Sequence, residues 1–128
     1  MSKIKTLIAH NDIKITNDII DSIKDLDYVE IVGTAVNGKE TYNQIVNLKP
    51  DIVFTKYNMG EMNSIEIMKL SKEKLDNNIP IFNIIGDEIP DNELKEAIDI
   101  VGKKLNALIK EPYEDRITDI LNDYKNTL

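Results

Sequence analysis

The sequence predicts an α/β domain built on a parallel sheet with helices on both faces. Three observations carry this reading. Short apolar runs alternate, five times over, with longer stretches whose apolar residues recur at helical spacing. The runs, such as Ile52-Val53-Phe54, have almost no polar interruption, as strands buried on both faces require. The connections are short, so successive βα units must pack side by side through right-handed crossovers. The chain has 128 residues, enough for one core, and residues 1–128 read as a single domain.

The elements follow in order. Residues 4–9 form a first strand with Leu7-Ile8-Ala9 at its buried end. Asn11 or Asp12 caps a helix to about Asp25, with Ile15, Ile19, Ile20, Ile23 and Leu26 on one face. Residues 29–36 are a second β-branched run, ended by Asn37-Gly38. The next helix buries Tyr42, Ile45, Val46 and Leu48 and stops at Pro50. Strand three is Ile52-Val53-Phe54. Ser64 then caps a helix carrying Ile65, Ile67, Met68 and Leu70. Asp76-Asn77-Asn78 is a turn, and residues 79–85 are a fourth strand, apolar apart from Asn83. Pro90 opens a helix with Asp91 and Glu93 at its positive end and Leu94, Ala97, Ile98 and Val101 inside. Gly102 stops it. Residues 107–109 are a short fifth strand, broken by Pro112. Residues 114–124 are a last helix with Ile117, Ile120, Leu121 and Tyr124 inward.

Composition excludes several classes. There is no Cys, hence no disulfide, thiolate metal site or thiol nucleophile. The formal charge of −7 argues against binding to nucleic acid or an anionic membrane, since both need a basic patch. No segment approaches the roughly 18–20 apolar residues of a membrane span, and the N-terminus lacks a signal-type apolar core. A cytoplasmic protein is expected. No Gly-x-x-x-x-Gly-Lys-Ser/Thr phosphate loop is present.

Residues 50–66, PDIVFTKYNMGEMNSIE, are the most informative stretch. The apolar run turns polar abruptly at Thr55-Lys56. In open α/β sheets chemistry sits beyond the carboxyl ends of strands, so Lys56 is the first candidate position, and it holds an ammonium. The stretch resembles the third-strand segment of a response-regulator receiver domain, the phosphoacceptor module of two-component phosphorelay signalling. Pro50-Asp51, the aliphatic run, and Met59 and Met62 match that family's pattern. The resemblance extends from Ile4 to Tyr124. It implies a flavodoxin-like (βα)5 fold with strand order 2-1-3-4-5.

The resemblance also implies where each functional group should stand. The acidic pair after the first strand falls on His10 and Asn11, with Asp12 one residue late at the start of the helix. The phosphoacceptor aspartate falls on Lys56. The hydroxyl residue ending the fourth strand falls on Ile85, while the small residue after it is matched by Gly86. The aromatic switch position falls on Leu108. The lysine that precedes a proline falls on Glu111; Lys110 is one place early, which turns it to the opposite face. An imidazole and a neutral amide are poor ligands for Mg²⁺, and an ammonium repels it. Ile85 has no hydrogen-bonding group. The chain therefore reads as a pseudo-receiver with no catalytic residue, no metal and no cofactor. Lys56 and Glu111 carry the reverse of the signs expected there. Either they form an ion pair across the ends of neighbouring strands, or they stand as two solvated charges.

Other features have plain readings. His10, the single histidine, reads as a capping or packing residue, and Met59 and Met62 as loop packing. Asp87 and Glu88 read as solvated carboxylates. The expected function is a non-enzymatic signalling domain acting through a protein partner: a sensor kinase, a regulator or an output protein. Homodimerisation through the last helix–strand–helix face, whose last helix is flanked by Tyr113 and Tyr124, is implied by the resemblance. A second reading is the receiver portion of a response regulator whose DNA-binding output domain is absent from this chain. A third is a small flavodoxin-like cofactor-binding protein, for which His10-Asn11-Asp12 lacks the needed phosphate-cradling loop.

Overall fold

A computed structural model describes residues 3–86, 89–111 and 113–128. Five strands, β1 (Ile4–Ala9), β2 (Val29–Ala35), β3 (Ile52–Lys56), β4 (Ile81–Ile85) and β5 (Leu105–Ile109), alternate with five helices. The helices are α1 (Ile13–Ile23), α2 (Gly38–Leu48), α3 (Ser64–Leu75), α4 (Asp91–Val101) and α5 (Tyr113–Lys125). All strand pairs are parallel and the order is β2-β1-β3-β4-β5, as the sequence reading expects.

Strand periodicity divides the core into two layers. Ile8, Phe54, Ile85 and Ile109 pack beneath Ile19 and Ile23 of α1 and Ile117, Ile120 and Leu121 of α5. Leu7, Val53, Phe82 and Ile84 pack beneath Ile45 of α2, Ile67 and Met68 of α3, and Ala97 and Val101 of α4. Ile52 to Thr55 of β3 are all buried, so this strand is covered from both sides. Asp51 anchors its start. Its N–H donates to the Lys5 carbonyl and its carboxylate accepts from the Lys5 N–H, both at 2.8 Å.

Several details differ from the sequence pattern. Leu48 and Ile98 are 39% and 51% exposed rather than inward. In α2 the small Gly38 and Thr41 take the buried side with Ile45, which brings the helix close to its neighbours. The cap of α3 is Asn63, whose side chain accepts from the Glu66 N–H, so Ser64 is already inside the helix. Pro90 stands just before α4. β4 begins at Ile81, later than the sequence suggests, and β5 begins at Leu105, earlier. Pro112 lies outside the described residues.

Asn83, the polar interruption in β4, is fully buried. The β4–β5 register slips between Phe82 and Asn83, so Asn106 is skipped in the pairing. The Asn106 side chain donates to Asn83 Oδ1 at 3.0 Å, and the Asn83 amide reaches the Val53 carbonyl at 3.4 Å. The bulge therefore supplies the partner that a buried amide needs. No described helix is long and apolar enough to cross a membrane.

Two glycines mark close approaches of different kinds. A Cβ at residue 38 would overlap the backbone carbonyl oxygen of Met62, in the loop between β3 and α3. At residue 33 the nearest obstruction is the movable end of the Gln44 side chain. Gly38→Ala is therefore expected to destabilise by about 1–3 kcal/mol, as overpacking does, and by more than Gly33→Ala. Urea midpoints of the two variants test this; equal midpoints would mean that the Met62 loop yields freely.

Candidate functional site

Register alone brings the candidate residues to one mouth. Ala9 pairs with Thr55, Lys56 with Ile85, and Ile85 with Ile109. The residues beyond these strand ends therefore share the carboxyl edge of the sheet.

His10 and Asn11 leave β1 differently. His10 is 4% exposed. Its N–H donates to the Ala35 carbonyl at 3.0 Å, and its Nδ1 accepts from the Asp12 N–H at 2.9 Å. That bond places a neutral ring's proton on Nε2. Asp12 in turn accepts from the Lys14 N–H at 3.0 Å and caps α1. Asn11 is exposed, and its Oδ1 accepts from Lys56 Nζ at 3.4 Å. The mouth thus presents a neutral amide to an ammonium at the place where the receiver pattern sets carboxylates.

Ile85 is fully buried among Ile8, Phe54 and Ile109. The position that the resemblance assigns to a hydroxyl is here part of the core. Gly86 follows with φ +92°, a conformation suited to glycine, and donates to the Ile109 carbonyl at 2.7 Å. Leu108 is 44% exposed on β5. Asp87 and Glu88 lie outside the described residues.

The ion pair weighed between Lys56 and Glu111 is not formed within 4 Å among the described residues. The expectation placed them on neighbouring strands, but β4 and its Ile85 separate β3 from β5. Two strand spacings amount to roughly 10 Å. Glu111 instead accepts from the Tyr113 hydroxyl at 3.3 Å. It borders an open groove of about 620 Å³ with Asp12, Lys14, Asp18 and Glu114.

Met59 is 3% exposed and packs on Ala9 and Ala35, so it seals the mouth between β1 and β2. Met62 packs on the α2–α3–α4 side of the core. Both act as loop packing.

Tyr57, which the sequence reading passed over, joins three elements. Its carbonyl accepts from the Ser64 N–H at the start of α3 at 2.8 Å. Its ring packs on the α2–α3–α4 core, and its hydroxyl donates to Glu93 Oε2 in the first turn of α4. Burial first, then the hydrogen bond to Glu93 and its charge, push the phenol up from 10.0 to about 12. A second tie, Lys69 to Glu96, joins α3 to α4. Glu93 and Glu96 are three residues apart, which places them on one stripe of α4. That spacing was the available sequence signal.

His10 and Asn11 offer an engaged imidazole nitrogen and a neutral amide beside the Lys56 ammonium, whereas Mg²⁺ takes carboxylate and water oxygens. Among the described residues no cluster of three or more His, Cys, Asp or Glu side chains could hold a metal.

Comparison with known proteins agrees with this architecture. The structure superposes on the signal receiver domain of the response regulator NarL from Mycobacterium tuberculosis with a TM-score of 0.80, covering 96% of each chain at 15% identity. It matches the response regulator domain of Thermotoga maritima CheB with a TM-score of 0.78, covering 97% of each chain at 19% identity. The fold is that of a response-regulator receiver domain. A protein-glutamate methylesterase/protein-glutamine glutaminase from Clostridium acetobutylicum is 33% identical over 89 residues. That match covers 69% of this chain and 26% of the relative, so the receiver fold here spans about a quarter of that protein's length. No family model matches the chain.

Two outcomes are expected at this site. The folded state favours the neutral Tyr57 phenol, so its contribution is complete below pH 10.0 and is lost as the pH rises through about 12. The stability difference between the native protein and Tyr57→Phe should therefore shrink across that window in urea titrations; a constant difference would refute the role of the phenol proton. Ile85→Thr, which restores the receiver hydroxyl, should destabilise by about 1–3 kcal/mol, because it removes core packing and buries a hydroxyl. A melting temperature at or above the native value would contradict that packing role.

Proposed function

We propose that this chain is a pseudo-receiver: a signalling domain of two-component type that works without aspartyl phosphorylation and acts through protein–protein contact. The observation that carries this reading is Lys56 at the carboxyl end of β3, its ammonium on Asn11. A phosphoacceptor must be a nucleophile, and phosphoryl transfer needs a cation to offset the developing charge. An ammonium is a poor substitute for a carboxylate nucleophile and repels the cation as well. The burial of Ile85 and the engagement of Asp12 in capping α1 support the same reading.

The contact surface that this reading favours is the α4–β5–α5 face, where a sensor kinase, a regulator, an output protein or a second copy would dock. Ile98 on α4 and Leu108 on β5 are its exposed apolar residues. A second reading is favoured by the partial match to the methylesterase: the chain is the receiver portion of a longer regulator whose output lies in another segment. An antibody to this domain separates the two, since it detects a band of about the chain's own mass of 14.6 kDa only if the domain exists alone.

The central claim is tested by amide NMR with Mg²⁺ and then Mg²⁺ plus beryllofluoride, alongside intact-mass analysis after acetyl phosphate. No site-localised shifts near Lys56, Ile85 and Glu111 and no added phosphoryl mass are expected. Localised shifts or a phosphoryl adduct would overturn the reading and point to another carboxylate, with Asp12 the first to examine.

A further inference from the structure

We infer that Asn37–Gly38 is a site of spontaneous covalent modification, deamidation through a cyclic imide, and that the first turn of α2 sets its rate.

The reactivity is written in the sequence. Asn37 is the only asparagine in the chain that is followed by glycine. The attacking group is the backbone nitrogen of the following residue, and glycine has no side chain to hinder its approach. That nitrogen gives its proton to solvent and bonds to Asn37 Cγ. The Cγ–Nδ2 bond breaks and ammonia leaves. Water then opens the five-membered imide. Opening at Cγ leaves aspartate. Opening at the backbone carbonyl carbon leaves isoaspartate, with the main chain now running through Cγ. Water is the one co-reactant.

Two structural demands place this pair here. A Cβ at residue 38 would overlap the Met62 carbonyl oxygen, so the packing of α2 against the β3–α3 loop selects glycine. Residue 37 caps α2, a position that suits asparagine. Asn37 is exposed, at a groove of about 570 Å³ that Met59, Gly60 and Met62 also line, so water reaches it.

The same turn restrains the reaction. Both ends of the Asn37 amide are held by Glu40: Oδ1 accepts from the Glu40 N–H at 2.8 Å, and Nδ2 donates to Glu40 Oε2 at 3.3 Å. The Asn37 carbonyl accepts from the Thr41 N–H at 3.0 Å and from the Thr41 hydroxyl at 2.7 Å. Ring closure requires rotation about ψ of Asn37, away from its extended 171°, until the Gly38 nitrogen lies in the plane of Cα and Cβ. That rotation swings the carbonyl off Thr41 and moves Gly38 out of its buried seat. Closure therefore waits for the first turn of α2 to open. Asn63 offers an internal comparison. It caps α3 in the same way, accepting from the Glu66 N–H at 3.0 Å, but a fully buried serine follows it.

Conversion adds a negative charge beside Glu40. Isoaspartate also lengthens the main chain at the cap, where α2 meets the Met62 loop.

The experiment follows all asparagines by peptide mapping and mass spectrometry at mildly alkaline pH. It compares the native protein in buffer, the same protein unfolded in guanidinium chloride, and Glu40→Ala in buffer. Glu40 is exposed, so its truncation spares the core, and it removes the Nδ2 bond while keeping the backbone one. In the unfolded chain Asn37 should convert first, to aspartate and isoaspartate together. In buffer its conversion should be roughly 10-fold slower or more, because only the locally open fraction reacts. Glu40→Ala should speed it roughly 2- to 5-fold, the equivalent of one weak hydrogen bond. Earlier conversion of another asparagine in the unfolded chain would overturn the site. Equal rates in buffer and denaturant, or a Glu40→Ala rate no higher than native, would overturn the control by α2.

Discussion

Because β3 lies between β1 and β4 and beneath helices on both faces, every polar group that it carries must be paired within the sheet or leave at the carboxyl end. Its backbone is satisfied by the two flanking ladders. Its start is tied to Lys5 by Asp51, and its side chains remain apolar until Thr55. Lys56 is the first charge that the strand can place in reach of water. The rest of the mouth is arranged around that ammonium: Asn11 accepts from it, Met59 closes the adjacent gap, and Tyr57 carries the chain onward to α3 and α4.

The described side chains of the mouth are held by capping, packing and hydrogen bonds. His10 shapes the exit from β1 through the Asp12 N–H, and Asp12 caps α1. Ile85 fills core volume at the end of β4. Each of these groups is held by packing or by a hydrogen bond. The same economy holds in the middle of the sheet, where buried Asn83 is answered by the bulged Asn106 and Asn83's own reach to Val53.

The two layers are not equally secured. Long branched side chains of α1 and α5 cover one face of the sheet. On the other face α4 contributes Ala97, Val101 and the partly buried Ile100, and its carboxylates add polar ties to Tyr57 and Lys69. Interactions of that kind are directional and contribute at most a few kcal/mol, so they hold a helix in one place without binding it as firmly as burial does. The residue that fastens α4 directly follows the one at the centre of the mouth.

The sequence by itself determined the alternation of strands and helices, the two-sided burial of β3 and the position of Lys56 at its end. These are local properties: an apolar period, a cap and a turn are written in consecutive residues. The strand order came from the resemblance and is what the structure has. Burial of individual helix residues was less legible, because Leu48 and Ile98 match the helical period yet lie where no neighbour covers them. Only the tertiary structure decided the side-chain partners. Lys56 meets Asn11 beyond the end of the adjacent β1, while Glu111 meets the Tyr113 hydroxyl at the far side of β4. Tyr57 and Glu93, 36 residues apart, meet because α3 and α4 pack on the same face. Such pairings depend on register and on which element lies between, and neither is expressed in any short stretch of sequence.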